Sequence, residues 1–201
     1  MSRPVVVVVG AGPGVSGSVA RRFADEGYDV GLLGQDQAVL DELVRDLEAR
    51  GAAVGHAVVD ITDEQAARDA VRRMGEHTGR IDVLHFNPSA FREKDPLSLT
   101  VVQAARPFMS AGGRVSVTGS MAADEPWEKA ASLGVQKAGV RNLVHSLDKT
   151  LAPDGIRAVS VTVRGSLARE GAFTPDRVAD ALWAAVTTDD ARWRSEAPYA
   201  G

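Results

Sequence analysis

Short apolar runs alternate along the chain with longer stretches whose apolar residues recur every three or four positions. Val5 to Val9 is an unbroken β-branched run, as expected of a strand buried on both faces of a parallel sheet. It stops at Gly10, and Val15, Val19 and Phe23 then mark one side of a helix, with Arg21, Arg22 and Asp25 on another. Residues 29–34 read as a second strand and residues 38–50 as a helix carrying Leu40, Leu43, Val44 and Leu47 at helical spacing, with Gly51 beyond its end. Residues 53–59 form a third strand, and Thr62 is the expected cap of a helix running to about His77. The pattern continues with strands at 81–86, 114–118 and 156–163 and helices at 100–109, 130–151 and 175–186. Residues 195–200 can add a last short strand. Regular alternation of short apolar strands with helices predicts an α/β fold: a doubly wound parallel sheet of Rossmann type, as one domain over residues 1–201.

The first turn carries the candidate chemistry. Strand, glycine-rich turn and helix follow one another in RPVVVVVGAGPGVSGSVARRFA. Glycines let the backbone come close to a pyrophosphate, whose charge then meets the free amides and positive end of the helix dipole. Two registers fit. Gly12, Gly14 and Gly17 match G-x-G-x-x-G, whereas Gly10, Gly14 and Ser16 approximate G-x-x-x-G-x-G with serine in place of the last glycine. The second is preferred because the turn then opens directly after Val9. The same segment read plainly is a tight strand-to-helix turn with no ligand.

Composition narrows the alternatives. Of the 201 residues, 44% are hydrophobic and 25% charged, as in ordinary globular domains. A formal net charge of −4 gives no electrostatic footprint for nucleic acid or an anionic membrane. The absence of cysteine excludes disulfides, thiol nucleophiles and thiolate metal sites. His56, His77, His85 and His145 are scattered over different elements, so no metal site is expected. No apolar segment approaches the ~20 residues of a membrane span, and the opening apolar run reads as a first strand rather than a signal peptide. A cytoplasmic location is the resulting expectation.

The motifs, in this order, resemble those of the short-chain dehydrogenase/reductase family over nearly the full length. They are VVGAGPGVSGSVARRFADEGYDV at the turn, VVDIT after the third strand, NPSA after the fourth, VSVTGS closing the fifth, and ASLGVQKAGVRNLVHSLDKTLAPDGIRAVSVTV at the long helix and sixth strand. The resemblance implies an NAD(P)-dependent oxidoreductase passing hydride between nicotinamide and a small carbonyl or alcohol substrate. It implies that Gly10, Gly12, Gly14 and Ser16 hold the pyrophosphate, Asp60 and Ile61 meet the adenine, and Asn87 meets its ribose. By the same resemblance Lys137 reaches the nicotinamide ribose and Ser120 polarises the carbonyl, which makes these two the candidate catalytic residues. Gln35 after the second strand, with small Gly34 leaving room, inclines the choice to NADP, with NAD as the alternative; Asp36 nearby works against a phosphate. A homo-oligomer is also implied.

The chain departs from the family pattern at three places. The tyrosine of Y-x-x-x-K, the family's proton donor, should stand four residues before Lys137, where the chain has Leu133. Glu125, Lys129, Ser132 and Tyr199 are conceivable substitutes, none at the right spacing. Only 25 residues (88–112) separate Asn87 from Gly113, too few for the usual long fourth helix, and residues 96–109 contain no asparagine for the proton relay. Arg164-Gly165 stands in place of Pro-Gly, and the substrate lid that should follow is cut down. These losses frame the competing expectation, a nucleotide-binding or interaction protein that keeps the fold without the reaction. Plain structural roles compete at single residues too: Ser120 as a turn cap, Lys137 on a solvated helix face, Asp60 as the polar end of a strand.

Overall fold

A computed structural model describes residues 3–87, 97–125 and 127–201, with side chains left undescribed at 97–100 as well. Seven strands form one sheet: β1 (Val5–Val9), β2 (Asp29–Gly34), β3 (Val54–Val58), β4 (Val83–Phe86), β5 (Arg114–Ser120), β6 (Arg157–Val163) and β7 (Glu196–Tyr199). Their order is β3-β2-β1-β4-β5-β6-β7, and every pairing is parallel. The connecting helices are α1 (Val15–Asp25), α2 (Gln37–Ala49), α3 (Glu64–Thr78), α4 (Leu97–Ala105), α5 (Ala131–Leu151) and α6 (Pro175–Val186).

The valine run explains why the sheet is covered on both sides. Val6 and Val8 pack with residues of α1, α2 and α6 such as Phe23, Leu43 and Leu182. Val5, Val7 and Val9 pack on the opposite face with Val71 of α3, Val102 of α4 and Leu147 of α5. All five valines are buried, so each face of β1 contributes to its own core. The strand order reverses between β1 and β4, and in such sheets ligands bind in the crevice beyond the carboxyl ends of the strands at that point.

The expected elements are present, with shifts at their ends that have local causes. Asp63, not Thr62, caps α3: its carboxylate accepts from the Ala66 amide at 2.9 Å. The Thr62 amide and hydroxyl instead both donate to Asp60, at 2.8 and 2.7 Å. The fourth helix was expected at residues 100–109 but ends at Ala105 and continues as a 3₁₀ turn, Arg106–Phe108. Pro107 accounts for this, since it lacks an amide proton and crowds the preceding turn. Strand β5 runs two residues further than expected, to Ser120, because its pairing with β6 persists to Val163. Of NPSA, Asn87 is described, and residues 88–90 lie outside the described residues.

Candidate functional site

The turn after β1 is built by close backbone packing. Gly10 has a φ of +81°, the left-handed region that favours glycine, and the Gly10 and Ala11 amides both donate to the Leu33 carbonyl, at 2.9 and 2.8 Å. A Cβ on Gly17 would lie 2.7 Å from the Gly12 carbonyl oxygen, so α1 approaches the turn only because residue 17 is glycine. The preferred motif register passes over this glycine; the other register includes it. Gly34 is likewise filled from below, since a Cβ there would lie 2.6 Å from the Ala11 carbonyl oxygen. Its small size admits the turn.

Gly12 and Gly14 behave differently. Among the described residues, a Cβ on either would meet nothing within 4 Å, so none of them fills the space in front of α1 at these two positions. Gly14 is also the N-cap of α1 and offers no side chain to satisfy the helix's first amides. The result is an open cradle facing the positive end of an 11-residue helix.

Ser16 is 3% exposed, and its hydroxyl is engaged within the protein. It donates to the Gly10 carbonyl at 2.7 Å and accepts from the Asn87 side-chain amide at 2.9 Å. The Asn87 backbone amide donates to the Val9 carbonyl at 3.0 Å. Ser16, Gly10 and Asn87 are thus brought together, with Ser16 tying the turn to the end of β4.

At the other end of the crevice, Gln35 and Asp60 meet. The Gln35 Nε2 donates to Asp60 Oδ1 at 2.8 Å. Ile61 is buried in the core beside Val59, so only its backbone can face a ligand. Asp36 caps α2, accepting from the Ala38 and Val39 amides at 2.9 and 3.2 Å, which occupies the carboxylate expected to oppose a phosphate.

The remaining candidates lie where β5 hands over to α5. Ser120 ends β5, and its hydroxyl accepts from the Ala122 amide at 3.2 Å, capping a short 3₁₀ turn, Met121–Ala123. Helix α5 packs on that turn, and a Cβ on Gly134 would sit 3.0 Å from the Ala122 carbonyl oxygen. Leu133 and Lys137 stand four residues apart in α5, hence on one face, and both are half-buried. Below them Arg141 pairs with Asp124, which also accepts from Arg164 at 3.0 Å. The hydrogen bond from Arg141 holds the Asp124 carboxyl below its ordinary value.

Tyr199 donates its hydroxyl to the Ala172 carbonyl and is not poised as a proton donor. Trp127 is 55% exposed. A shallow groove between α6 and β7, lined by Ala181, Ala184 and Pro198, is separate from this edge. Among the described residues no cluster of His, Asp and Glu could hold a metal ion, and no helix is long and apolar enough to cross a membrane.

A family model described as short chain dehydrogenase matches residues 4–100, and one described as enoyl-(acyl carrier protein) reductase matches residues 97–172. An uncharacterized oxidoreductase of Staphylococcus saprophyticus is 28% identical over 178 residues, covering 79% of this chain and 76% of that protein. Sulfoacetaldehyde reductase 2 of Chromohalobacter salexigens is 27% identical over 178 residues, covering 78% of this chain and 70% of its own length. Among solved structures, a short chain dehydrogenase from Burkholderia cenocepacia in complex with NADP superposes with a TM-score of 0.89 at 23% identity, covering 98% of this chain and 96% of that one.

Proposed function

The chain belongs to the short-chain dehydrogenase/reductase family of oxidoreductases, and from that premise we propose an NADP(H)-dependent enzyme acting on a small carbonyl or alcohol substrate. The observation that carries the reading is the open cradle at Gly12 and Gly14 before the uncapped start of α1. Its shape and dipole suit a pyrophosphate. Gly10, Gly12 and Gly14 would hold that group through their backbone, while Ser16 keeps the turn in place. Asp60 and the Ile61 backbone would receive the adenine, Asn87 its ribose, and Lys137 the nicotinamide ribose.

NADP rather than NAD follows from Gln35, whose side chain lies at the end of β2 and can turn from Asp60 to donate to a 2′-phosphate. The NADP complex of the Burkholderia relative supports that choice.

When bound, the nicotinamide supplies or accepts the hydride. The chain's own contribution centres on Ser120. Among the described residues its hydroxyl oxygen accepts one bond, from Ala122, which leaves its proton to donate to a substrate oxygen. Leu133 offers no proton at the family's donor position, so water protonates the product oxygen in this scheme. Absence of a positioned general acid typically slows such a step by ~10²–10⁴.

Two further elements belong to the same reading, a homo-oligomer and a cytoplasmic setting. β7 is an outer strand of the sheet, and an outer strand is a place where a second copy can pair.

The test is oxidation of NADPH with a panel of short aldehydes and ketones. Turnover that falls at least tenfold in both Ser120→Ala and Lys137→Ala supports the assignment. Turnover indifferent to both substitutions contradicts it.

A further inference from the structure

We propose that Arg164 binds a carboxylate on the substrate, so that the preferred substrate is a short oxo acid or the matching hydroxy acid. This inference deepens the oxidoreductase reading above and rests on it. Val163 and Ser120 are paired residues at the carboxyl ends of β6 and β5. Arg164 comes next in the chain, which puts its Cα ~6 Å from that of Ser120 by strand spacing and rise. It therefore starts beside the group assigned to the substrate oxygen.

The backbone and side chain of Arg164 are tied to different neighbours. Its amide donates to the Tyr199 carbonyl at 2.8 Å, on the β7 side. Its side chain reaches back to the segment after β5, where Nη2 donates to Asp124 Oδ2 at 3.0 Å. Asp124 follows Ser120 by four residues, and its amide closes the intervening turn on the Met121 carbonyl at 2.8 Å. The guanidinium thus spans from the end of β6 to the turn that Ser120 caps.

One carboxylate serves two guanidinium groups there. Asp124 also pairs with Arg141. The next carboxylate, Glu196, lies 3.5 Å from Arg141 and accepts from the Thr162 hydroxyl at 2.6 Å. Arg164 therefore has a share in Asp124 and, among the described residues, makes no other side-chain hydrogen bond. Its side chain is 40% exposed, where an ion pair adds little stability. A planar fork of donors held at one corner and open at the others instead suits the two oxygens of a carboxylate. Asp124 sets where the fork points. The family pattern has proline at this position, with neither charge nor side-chain donor, so the arginine is a feature of this chain.

The test compares NADPH oxidation with succinic semialdehyde and with butanal, which share the aldehyde and the chain length and differ in the carboxylate. The wild-type protein should prefer succinic semialdehyde by about tenfold or more in kcat/KM, the scale of a hydrogen bond to a charged group. Arg164→Gln should bring that ratio close to one, through KM, and Arg164→Lys should restore part of it. Rising salt should shrink the wild-type ratio. Arg72→Gln, a change at an exposed arginine of α3, should keep the wild-type ratio. A ratio near one in the wild type, or one that Arg164→Gln leaves in place, would overturn the inference.

A second measurement needs neither cofactor nor turnover. Phenylglyoxal modifies exposed arginines, and peptide mass mapping reads Arg164 by itself. With γ-hydroxybutyrate at roughly ten times its half-saturating concentration, modification of Arg164 should slow by about tenfold. Arg72 should react at its usual rate, and butanediol should slow neither residue. Protection of Arg164 in a protein that oxidises no NADPH would contradict the proposed function and support the carboxylate site. Equal modification of Arg164 with either compound would overturn that site.

Discussion

The Asn87 side-chain amide donates to the Ser16 hydroxyl at 2.9 Å, joining the turn after β1 to the end of β4 across the point where the strand order reverses. Ser16 passes the connection on to the Gly10 carbonyl at 2.7 Å. The serine that stands in a glycine position of the motif is therefore a strut within the turn. Ser16→Ala leaves the Gly10 carbonyl and the Asn87 amide without this partner. The expected cost is about 1–3 kcal/mol of stability, measured by urea unfolding, with weaker NADPH binding in the same variant.

The turn's glycines should separate by function. Gly17→Ala drives a Cβ to 2.7 Å from the Gly12 carbonyl oxygen, so α1 or the turn must move. Stability should fall by about 1–3 kcal/mol, together with cofactor affinity. Among the described residues, Gly12→Ala meets nothing within 4 Å. It should leave the thermal midpoint near the wild-type value and reduce NADPH affinity alone, because the new methyl group occupies the cradle. Parallel thermal melts and NADPH titrations of the two variants check the distinction.

At the amino end of β6, Asp148 accepts from Arg157 at 2.9 and 2.8 Å, from the Ala158 amide at 2.8 Å and from the Trp193 indole at 3.0 Å. Burial pushes its carboxyl up, but these donors, Arg157 foremost, outweigh burial and hold it below the ordinary 3.8. A depressed carboxyl contributes stability that is present above the unfolded value and lost as pH falls through the folded one. Acid unfolding should therefore draw on this group below about pH 4. Asp148→Ala should cost about 3 kcal/mol at neutral pH, since it strands the Arg157 guanidinium and the indole. Urea midpoints at neutral pH and near pH 3 test both statements.

His85 titrates in a different window. It lies fully buried in β4, 2.8 Å from the Ser116 hydroxyl through Nδ1, and its Nε2 has no partner among the described residues. Burial pushes its pKa from 6.5 down to about 3. The unfolded chain takes up this proton first, so stability should fall as pH drops from about 6.5 toward 3, by up to ~1.4 kcal/mol per unit. His85→Leu should flatten that part of the curve. A series of urea midpoints between pH 7 and pH 5 separates this slope from that of Asp148.

The strands and their order of appearance were legible because burial on both faces leaves unbroken apolar runs, of which Val5–Val9 is the clearest. The glycine turn was legible because its residues are neighbours in sequence. Contacts between distant segments were not. Nothing local to Gly34 indicates that the Ala11 carbonyl fills its space, and nothing in the motif indicates that Gln35 rests on Asp60 or Asn87 on Ser16. The cap of α3 was missed by one residue because Thr62 and Asp63 are both good caps, and only the bonds from Thr62 to Asp60 separate them. The early end of the fourth helix did have a signal, Pro107, which outweighed the apolar spacing around it.

The most direct test of the account is a calorimetric titration of NADPH, with NADH beside it, into the wild-type protein and into Gly12→Ala. Single-site micromolar binding of NADPH to the wild type, weakened at least tenfold in the variant while its fold is retained, is the result the open cradle predicts. Absence of binding by either nucleotide at millimolar concentration, or equal affinity in the two proteins, would contradict it.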